Sequence, residues 1–304
     1  MKPSIPLLLT FALFGLLAAF SAEAAEGARH GLAVCAATLA PSLFPFFVLS
    51  NLLSELGLPA LLAGTAGRPL QKLFRISGGG VQALVLGLTG GYPLGASVVG
   101  DLRRNNLVSR AEAERLLAFC NNSGPAFILG AAGGVFQSPR AGVLLYISHV
   151  LGAVCVGLLM RGDHSADDVS PAAPAAPVPF GTAFPAAAAR ALSSTLAVCG
   201  YVVLFSALLG MISFPERTPP LIRALFTGIL ELGSGIAALS GTAPTPQALA
   251  CAAFLLGFGG VSVHAQTLGA VEGTDIKCVR HLLGRTLCGF ISAGFAFGLS
   301  RLFL

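Results

Sequence analysis

The sequence predicts an all-α polytopic membrane protein: two inverted repeats with interrupted helices and re-entrant hairpins, after an N-terminal helix. Three observations lead there. Hydrophobic residues make up 55% of the chain and charged residues 10%, where soluble domains carry about 25% charged. A polar, helix-breaking stretch, Phe119–Pro125 (FCNNSGP), interrupts an apolar run. Lipid offers an exposed backbone no hydrogen bonds, so irregular chain at that depth survives only inside protein or along a cavity. The frame around this break then recurs. Leu116, Phe119, Ser123, Leu129, Gly130 and Ala131 find identical residues at Leu255, Phe258, Ser262, Leu268, Gly269 and Ala270, all at one offset. Gly259 and Gly260 carry the second break, followed by Ser262, His264 and Gln266. Interrupted segments at corresponding places in two halves point to a transporter's binding site.

A membrane span needs about 20 apolar residues. The chain offers 4–22, 31–56, 113–136, 141–160, 188–213, 247–271 and 284–304. The first also carries signal-peptide features: Lys2, an apolar run from Ile5 to Phe20, then Ala22, Glu23 and Ala24. Multi-spanning proteins seldom need a cleaved signal, so a retained helix over 1–27 is the favoured reading. Stretches 77–100 and 221–241 are apolar but glycine-rich at their middles, at Thr89–Gly95 and Glu231–Gly235, which reads as a turn rather than a helix interior.

Positive charge arbitrates between hairpins and full spans, because cytoplasmic loops hold the Lys/Arg excess. With Lys2 inside and both glycine-rich stretches dipping in and returning, Arg68, Lys72, Arg75, Arg103, Arg104, Arg110 and Arg115 fall inside, with Arg161, Arg190, Lys277, Arg280 and Arg285. Arg29, Arg140, Arg217, Arg223 and Arg301 stay outside. A full crossing by 77–100 would put Arg68–Arg75 and Arg103–Arg115 on opposite sides. Each half then has three crossings and a hairpin, an odd number of crossings, so the second half is inverted. The halves are a first repeat over 28–161 and a second over 184–304. Between them, 162–183 reads as a cytoplasmic Pro/Ala linker, with Asp163, Asp167 and Asp168 ahead of Pro171–Pro185. Ser109 and Glu112 fit a capping box, and Thr245 before Pro246 fits an N-cap followed by proline at the first helical position.

A break at Asn121–Pro125 frees carbonyls before it and N–H groups after it, and the positive dipole end of the second half-helix suits a carboxylate or phosphate. Asn121, Asn122 and Ser123 add donors and acceptors, with Gly124 and Pro125 shaping the turn. Ser262, His264 and Gln266 face them from the second break, and the tip residues Gly90, Gly91, Tyr92 and Pro93 close over the site. Such a constellation can hold a polar or anionic small molecule through neutral groups and helix ends, without a buried cation. The plainer alternative is that these side chains satisfy a kink or a helix contact.

Glu231 is the one acid well inside an apolar stretch, where a carboxylate costs about 2.5–3.5 kcal/mol at the membrane centre. It is a candidate coupling residue with His264 as partner, or else a helix cap. His149 reads as a hydrogen-bonding core histidine.

Other classes find little support. There is no Gly-x-Ser-x-Gly elbow, HExxH or Walker loop, and Gly78–Gly80 lack a following Lys-Ser/Thr. The seven cysteines are scattered without ligand spacing and read as small buried hydrophobes, so no metal or other cofactor is expected. A net charge of +5 without a basic, aromatic-interleaved stripe gives no reason to expect nucleic acid.

Leu39–Phe47 (LAPSLFPFF), Gly90–Gly95 (GGYPLG), Leu116–Pro125 (LLAFCNNSGP) and Gly257–His264 (GFGGVSVH) together resemble the YlbJ-type sporulation integral membrane proteins. The likeness runs from about residue 28 to the C-terminus; the Pro/Ala linker is idiosyncratic. That family carries the nucleoside-recognition, or gate, domain also seen in nucleoside and ferrous iron transporters. The resemblance implies a multi-pass bacterial membrane protein of endospore formation that moves dipicolinate across the membrane surrounding the forespore. Its expected partners are that solute, or a nucleoside-like one, and the lipid bilayer; homo-oligomerisation stays open. A non-transporting scaffold acting through the basic 101–115 loop is the rival reading. A membrane enzyme would have only Glu231 and His264 to work with.

Overall fold

Hydrophobic periodicity gives way to breaks at glycine, proline and asparagine, and the helices follow that punctuation. The structure is a computed structural model that describes residues 5–58, 61, 67–162 and 178–304, and among these every regular element is helical. Helix α1 (Ile5–Ala19) buries no residue. Helix α2 (Ser21–Glu55) is 35 residues long, about 50 Å at 1.5 Å per residue and well beyond a ~30 Å hydrocarbon core. Its first turns carry Glu23, Glu26 and Arg29, which is why the apolar pattern starts only at 31. The helix runs unbroken through residues 27 and 28, and α1 ends at Ala19. A π-helical turn at Cys35–Leu39 turns Cys35 and Leu39 inward.

A short helix, α3 (Arg68–Phe74), leads to the first hairpin, α4 (Gly78–Gly90) and α5 (Leu94–Arg104). Helix α6 (Arg110–Cys120) stops at Asn121, and a π-helical segment, α7 (Ala126–Ala132), continues beyond the break. Helix α8 (Pro139–Leu159) completes the first half. The second half repeats the order. Helix α9 (Phe180–Gly210) crosses, α10 (Pro220–Leu230) and α11 (Leu232–Ala237) form a hairpin, α12 (Pro246–Phe258) and α13 (Gly260–Ala270) form a broken span, and α14 (Val279–Phe303) crosses last. Among the described residues five helical stretches are long and apolar enough to cross a membrane: α2, α8, α9, α12 with α13, and α14. The chain is an all-α, multi-pass membrane protein.

Helix α9 begins inside the expected linker. Pro179 at its N-cap and Phe180 at its start give it a defined beginning, and Pro185 is accommodated in its second turn. Asp163, Asp167, Asp168 and positions 171–177 of that linker lie outside the described residues.

Hydrogen bonds fix which ends of the elements meet. At one end, the Ser77 N–H donates to Glu112 Oε1 (2.6 Å), so the first hairpin starts level with the start of α6. Arg115 and Arg161 donate to the carbonyls of Arg75 (3.5 Å) and Lys72 (3.3 Å). Arg103 forms a two-pronged pair with Asp275 (2.8 and 3.0 Å), and Arg104 donates to the Ala270 and Glu272 carbonyls that end α13. That last contact places a cation at a helix C-terminus. Both ends of the first hairpin thus lie on this basic face, as the charge count required. The second hairpin comes from the opposite face: Gly241 N–H donates to the Val135 carbonyl just beyond α7 (3.4 Å), and Leu221 at its start lies beside Cys251 in the first turns of α12. The caps hold as well. Ser109 accepts from Glu112 N–H and Thr245 from Ala248 N–H, although the Glu112 carboxylate also serves Ser77.

Three backbone-close seams join the halves. Along α9, Ala183, Ala187, Ala191, Thr195, Val198, Val202 and Ser206 are buried, a stripe of mostly small residues against α2. There Gly27 and Gly31 lie on Ser206, and Gly210 lies on Glu23 and Gly27, leaving no room for a Cβ. Helix α14 likewise meets α6 through Gly284 on Ala118, at 2.5 Å for an added Cβ, and α8 through Gly152 on Ser292. In lipid, where apolar burial does not drive helices together, such close approach is what holds them.

Candidate functional site

The first break exposes helix-end carbonyls that must find donors without water. Asn122 Nδ2 donates to the Phe119 carbonyl (2.7 Å), and His281 Nδ1 serves the Leu117 carbonyl (3.0 Å). Gly87 and Gly95, one on each arm of the first hairpin, lie so close to the Cys120 carbonyl that a Cβ at either would collide with it. The tip then lies on the break itself: at Gly91, whose φ is +84°, an added Cβ would sit 2.8 Å from Gly124 N.

The second break is served from the first half. Helix α12 ends at Gly259 (φ +92°), whose N–H takes the Leu255 carbonyl. The Leu256 carbonyl accepts from the Tyr92 hydroxyl (3.1 Å) and the Ser123 hydroxyl (3.3 Å). Gly260, at φ +79°, packs on the second hairpin, where an added Cβ would lie 2.7 Å from the Gly228 carbonyl oxygen. Each hairpin therefore sits on its own half's break, and Tyr92 and Ser123 tie the halves together. Tyr92 and Glu231, at the two tips, stand at the same sequence offset as the breaks.

Between these parts lies a cavity of about 50 Å³. Its polar wall is Tyr92, Ser123, Glu231, Ser262 and Gln266; Leu39, Leu43, Phe127, Val198 and Val202 complete it. Gly124 and Gly233 contribute backbone. In two of these lining residues, Ser262 Oγ and Gln266 Oε1 are buried without a hydrogen-bond partner, an arrangement that calls for explanation in a folded protein. Glu231 is 2% exposed and caps α11, accepting from the N–H groups of Gly233 (2.8 Å) and Ser234 (2.5 Å).

The remaining expected site residues lie elsewhere. Asn121 and Asn122 are fully buried behind the cavity wall. Asn121 accepts from Ala96 N–H (3.3 Å) and donates to Thr267 Oγ1 (2.9 Å), pinning the first hairpin to α13. Gly90, Gly91 and Pro93 form the tip behind Tyr92, and Pro125 starts α7. His264 stacks edge-on against Phe258 and meets His281, not Glu231, at 3.0 Å. With both rings neutral, His281 Nδ1 donates to Leu117, so His281 Nε2 accepts from His264 Nδ1. His264 Nε2 is then left as a buried lone pair without a partner. His149 accepts the Ser123 N–H at Nε2 (3.1 Å), the hydrogen-bonding role expected of it.

Sequence reasoning missed Arg285 and counted it with the cytoplasmic loops. It is fully buried, donating through Nη1 to Asn122 Oδ1 (2.9 Å) and through Nη2 to the Tyr92 hydroxyl (2.6 Å). The expected site residues need no buried cation, but Arg285 places one behind Tyr92, outside the lining of the cavity. The available signal was a charge between Gly284 and Thr286 at the edge of an apolar span, where ionisable residues tend to be functional.

No protein-family model matches the sequence, and no solved structure matches it. One relative decides the family. The chain is 31% identical, over 89% of its length, to the sporulation integral membrane protein YlbJ of Bacillus subtilis (strain 168), covering 76% of that protein. The chain belongs to the YlbJ family. The chain is thus similar, over most of its length, to a sporulation-associated integral membrane protein.

Proposed function

We propose that this YlbJ-family protein is a secondary transporter that moves a small polar or anionic solute, dipicolinate during endospore formation, by alternating access. The observation that carries this reading is the pair of unpartnered polar atoms, Ser262 Oγ and Gln266 Oε1, on residues lining a cavity bounded by both helix breaks and both hairpin tips. Unsatisfied polar groups there are what a polar solute would satisfy. The first turn of α13, which contributes Ser262 and Val263 to the wall, presents its positive dipole end to the same space. At about 50 Å³ the cavity holds a few waters, so an aromatic dicarboxylate needs the tips to part. Glu231 supplies a coupling device, because protonating its carboxylate weakens the cap on α11 and with it the closed form of the second hairpin.

The family's association with sporulation favours dipicolinate over a nucleoside. The scaffold reading is less favoured, since Arg103 and Arg104 of the basic loop are engaged with Asp275, Ala270 and Glu272. The test is uptake of labelled dipicolinate into proteoliposomes. Saturable uptake that is lost in Ser262→Val with Gln266→Leu supports the proposal. Uptake no faster than in empty liposomes, across both orientations and imposed proton gradients, sinks it.

A further inference from the structure

Arg285 is the largest fully buried side chain among the described residues, and its surroundings do not balance its charge. A guanidinium offers five N–H donors. One serves Asn122 and one the Tyr92 hydroxyl, both neutral, while Nε is buried without a partner. Among the described residues no carboxylate pairs with it; the acid of the nearby cavity wall, Glu231, is engaged with the backbone of α11. Asp275, Glu112 and Glu114 have partners of their own near the basic face. A desolvated cation held only by neutral groups is costly, and an anion that reached it would recover much of that cost.

One side chain separates Arg285 from the cavity. The Tyr92 ring lies 5.5 Å from the guanidinium carbon, its hydroxyl oxygen accepts from Nη2, and the same side chain forms part of the cavity wall. Tyr92 also belongs to the tip of the first hairpin, the element that must move for the cavity to enlarge. Its oxygen occupies the place on Arg285 that a stronger acceptor would take.

We propose that Arg285 is the anion-recognising group of this protein, shuttered by Tyr92 in the closed form, and that a solute carboxylate replaces the Tyr92 hydroxyl on Nη2 when the first hairpin opens. The assignment rests on the cavity being the solute site. It narrows the solute class to small carboxylates and sets neutral nucleosides aside.

The test uses the purified full chain and measures binding of pyridine-2,6-dicarboxylate by calorimetry and thermal shift, with the neutral pyridine-2,6-dicarboxamide as isosteric control. The expected result is binding of the dicarboxylate and not the diamide. Arg285→Gln then weakens dicarboxylate binding ~10- to 100-fold, the worth of a charge-assisted hydrogen bond, and Arg285→Lys gives an intermediate loss. Tyr92→Phe removes the competing acceptor and tightens binding about fivefold, even as it lowers the stability of the unliganded protein. A merely structural clamp gives no tightening in Tyr92→Phe, which keeps the test decisive should Arg285→Gln fail to fold. Unchanged affinity in a folded Arg285→Gln, or equal binding of the diamide, overturns the role of Arg285 and leaves the cavity reading intact. A wild-type protein that binds neither probe overturns both.

Discussion

The two helix breaks share a sequence frame and differ in what they leave open. At Asn121–Pro125 the polar side chains are satisfied: Asn121 bridges Ala96 and Thr267, Asn122 bridges Phe119 and Arg285, and Ser123 bonds to Leu256 and His149. Beyond Gly259 and Gly260, Ser262 and Gln266 line the cavity, and their Oγ and Oε1 have no hydrogen-bond partner. The first break is thus a staple between elements, and the second keeps free valences. Asn121 and Asn122, the most conspicuous polar residues of the sequence, tie elements together, while Ser123, Ser262 and Gln266 line the cavity.

Substitutions can break that comparison. The largest effect belongs to Asn122→Ala, which strips a buried guanidinium of one acceptor and a helix-end carbonyl of its donor. Thermal unfolding in detergent should show a loss of about 3–5 kcal/mol, so any transport defect in this variant follows from misfolding. Near-native stability would show that the first break is not the staple described. Ser262→Ala is expected to change stability by less than about 0.5 kcal/mol, or to raise it slightly, because the hydroxyl it removes has no partner. A marked destabilisation would mean that this hydroxyl is already satisfied and the contrast between the breaks is false. The smallest effect lies outside the membrane. Hydrogen bonds from Arg103 hold the Asp275 carboxyl below its usual value, so the pair stabilises the folded state at neutral pH and its contribution fades as pH falls below about 4. The pair is half exposed, so Asp275→Asn should cost at most about 0.5 kcal/mol at pH 7 and nothing in acid. A pH-independent difference would remove the ion pair from the account of the basic face.

Much of the fold was legible because its signals are local. Glycine and proline at Gly90–Gly95 and Gly259–Gly260 announce turns, Ser109 and Thr245 announce helix starts, and the sidedness of Arg75 and Arg103–Arg115 separates hairpin from span. The site was only half legible. Whether Asn122 points into the cavity or behind it depends on where α14 lies, and no local pattern carries that. Arg285 escaped for a related reason: six residues into α14, it resembles the membrane-edge cations around it until Tyr92 and Asn122 are seen to converge on it. The pairing of His264 with His281 rather than Glu231 is equally a product of helix packing.

The seams between the halves bear on which parts can move. Where Gly27 meets the Ser206 carbonyl and Gly210 the Glu23 carbonyl, main chain rests on main chain, and Gly31 and Gly284 close on the short side chains of Ser206 and Ala118. Rolling one half over the other would drag each Cα across its neighbour and open voids that lipid tails cannot enter. The hairpin arms pack as closely, Gly87 and Gly95 on the Cys120 carbonyl and Gly235 on Gly228, whereas the tips are tied by few groups: Tyr92 and Gly91 in the first, the Glu231 cap and the Gly260 contact in the second. In the transport proposed above, the long helices would form the stator and the moving parts would reduce to two short tips, one approaching from each face of the protein.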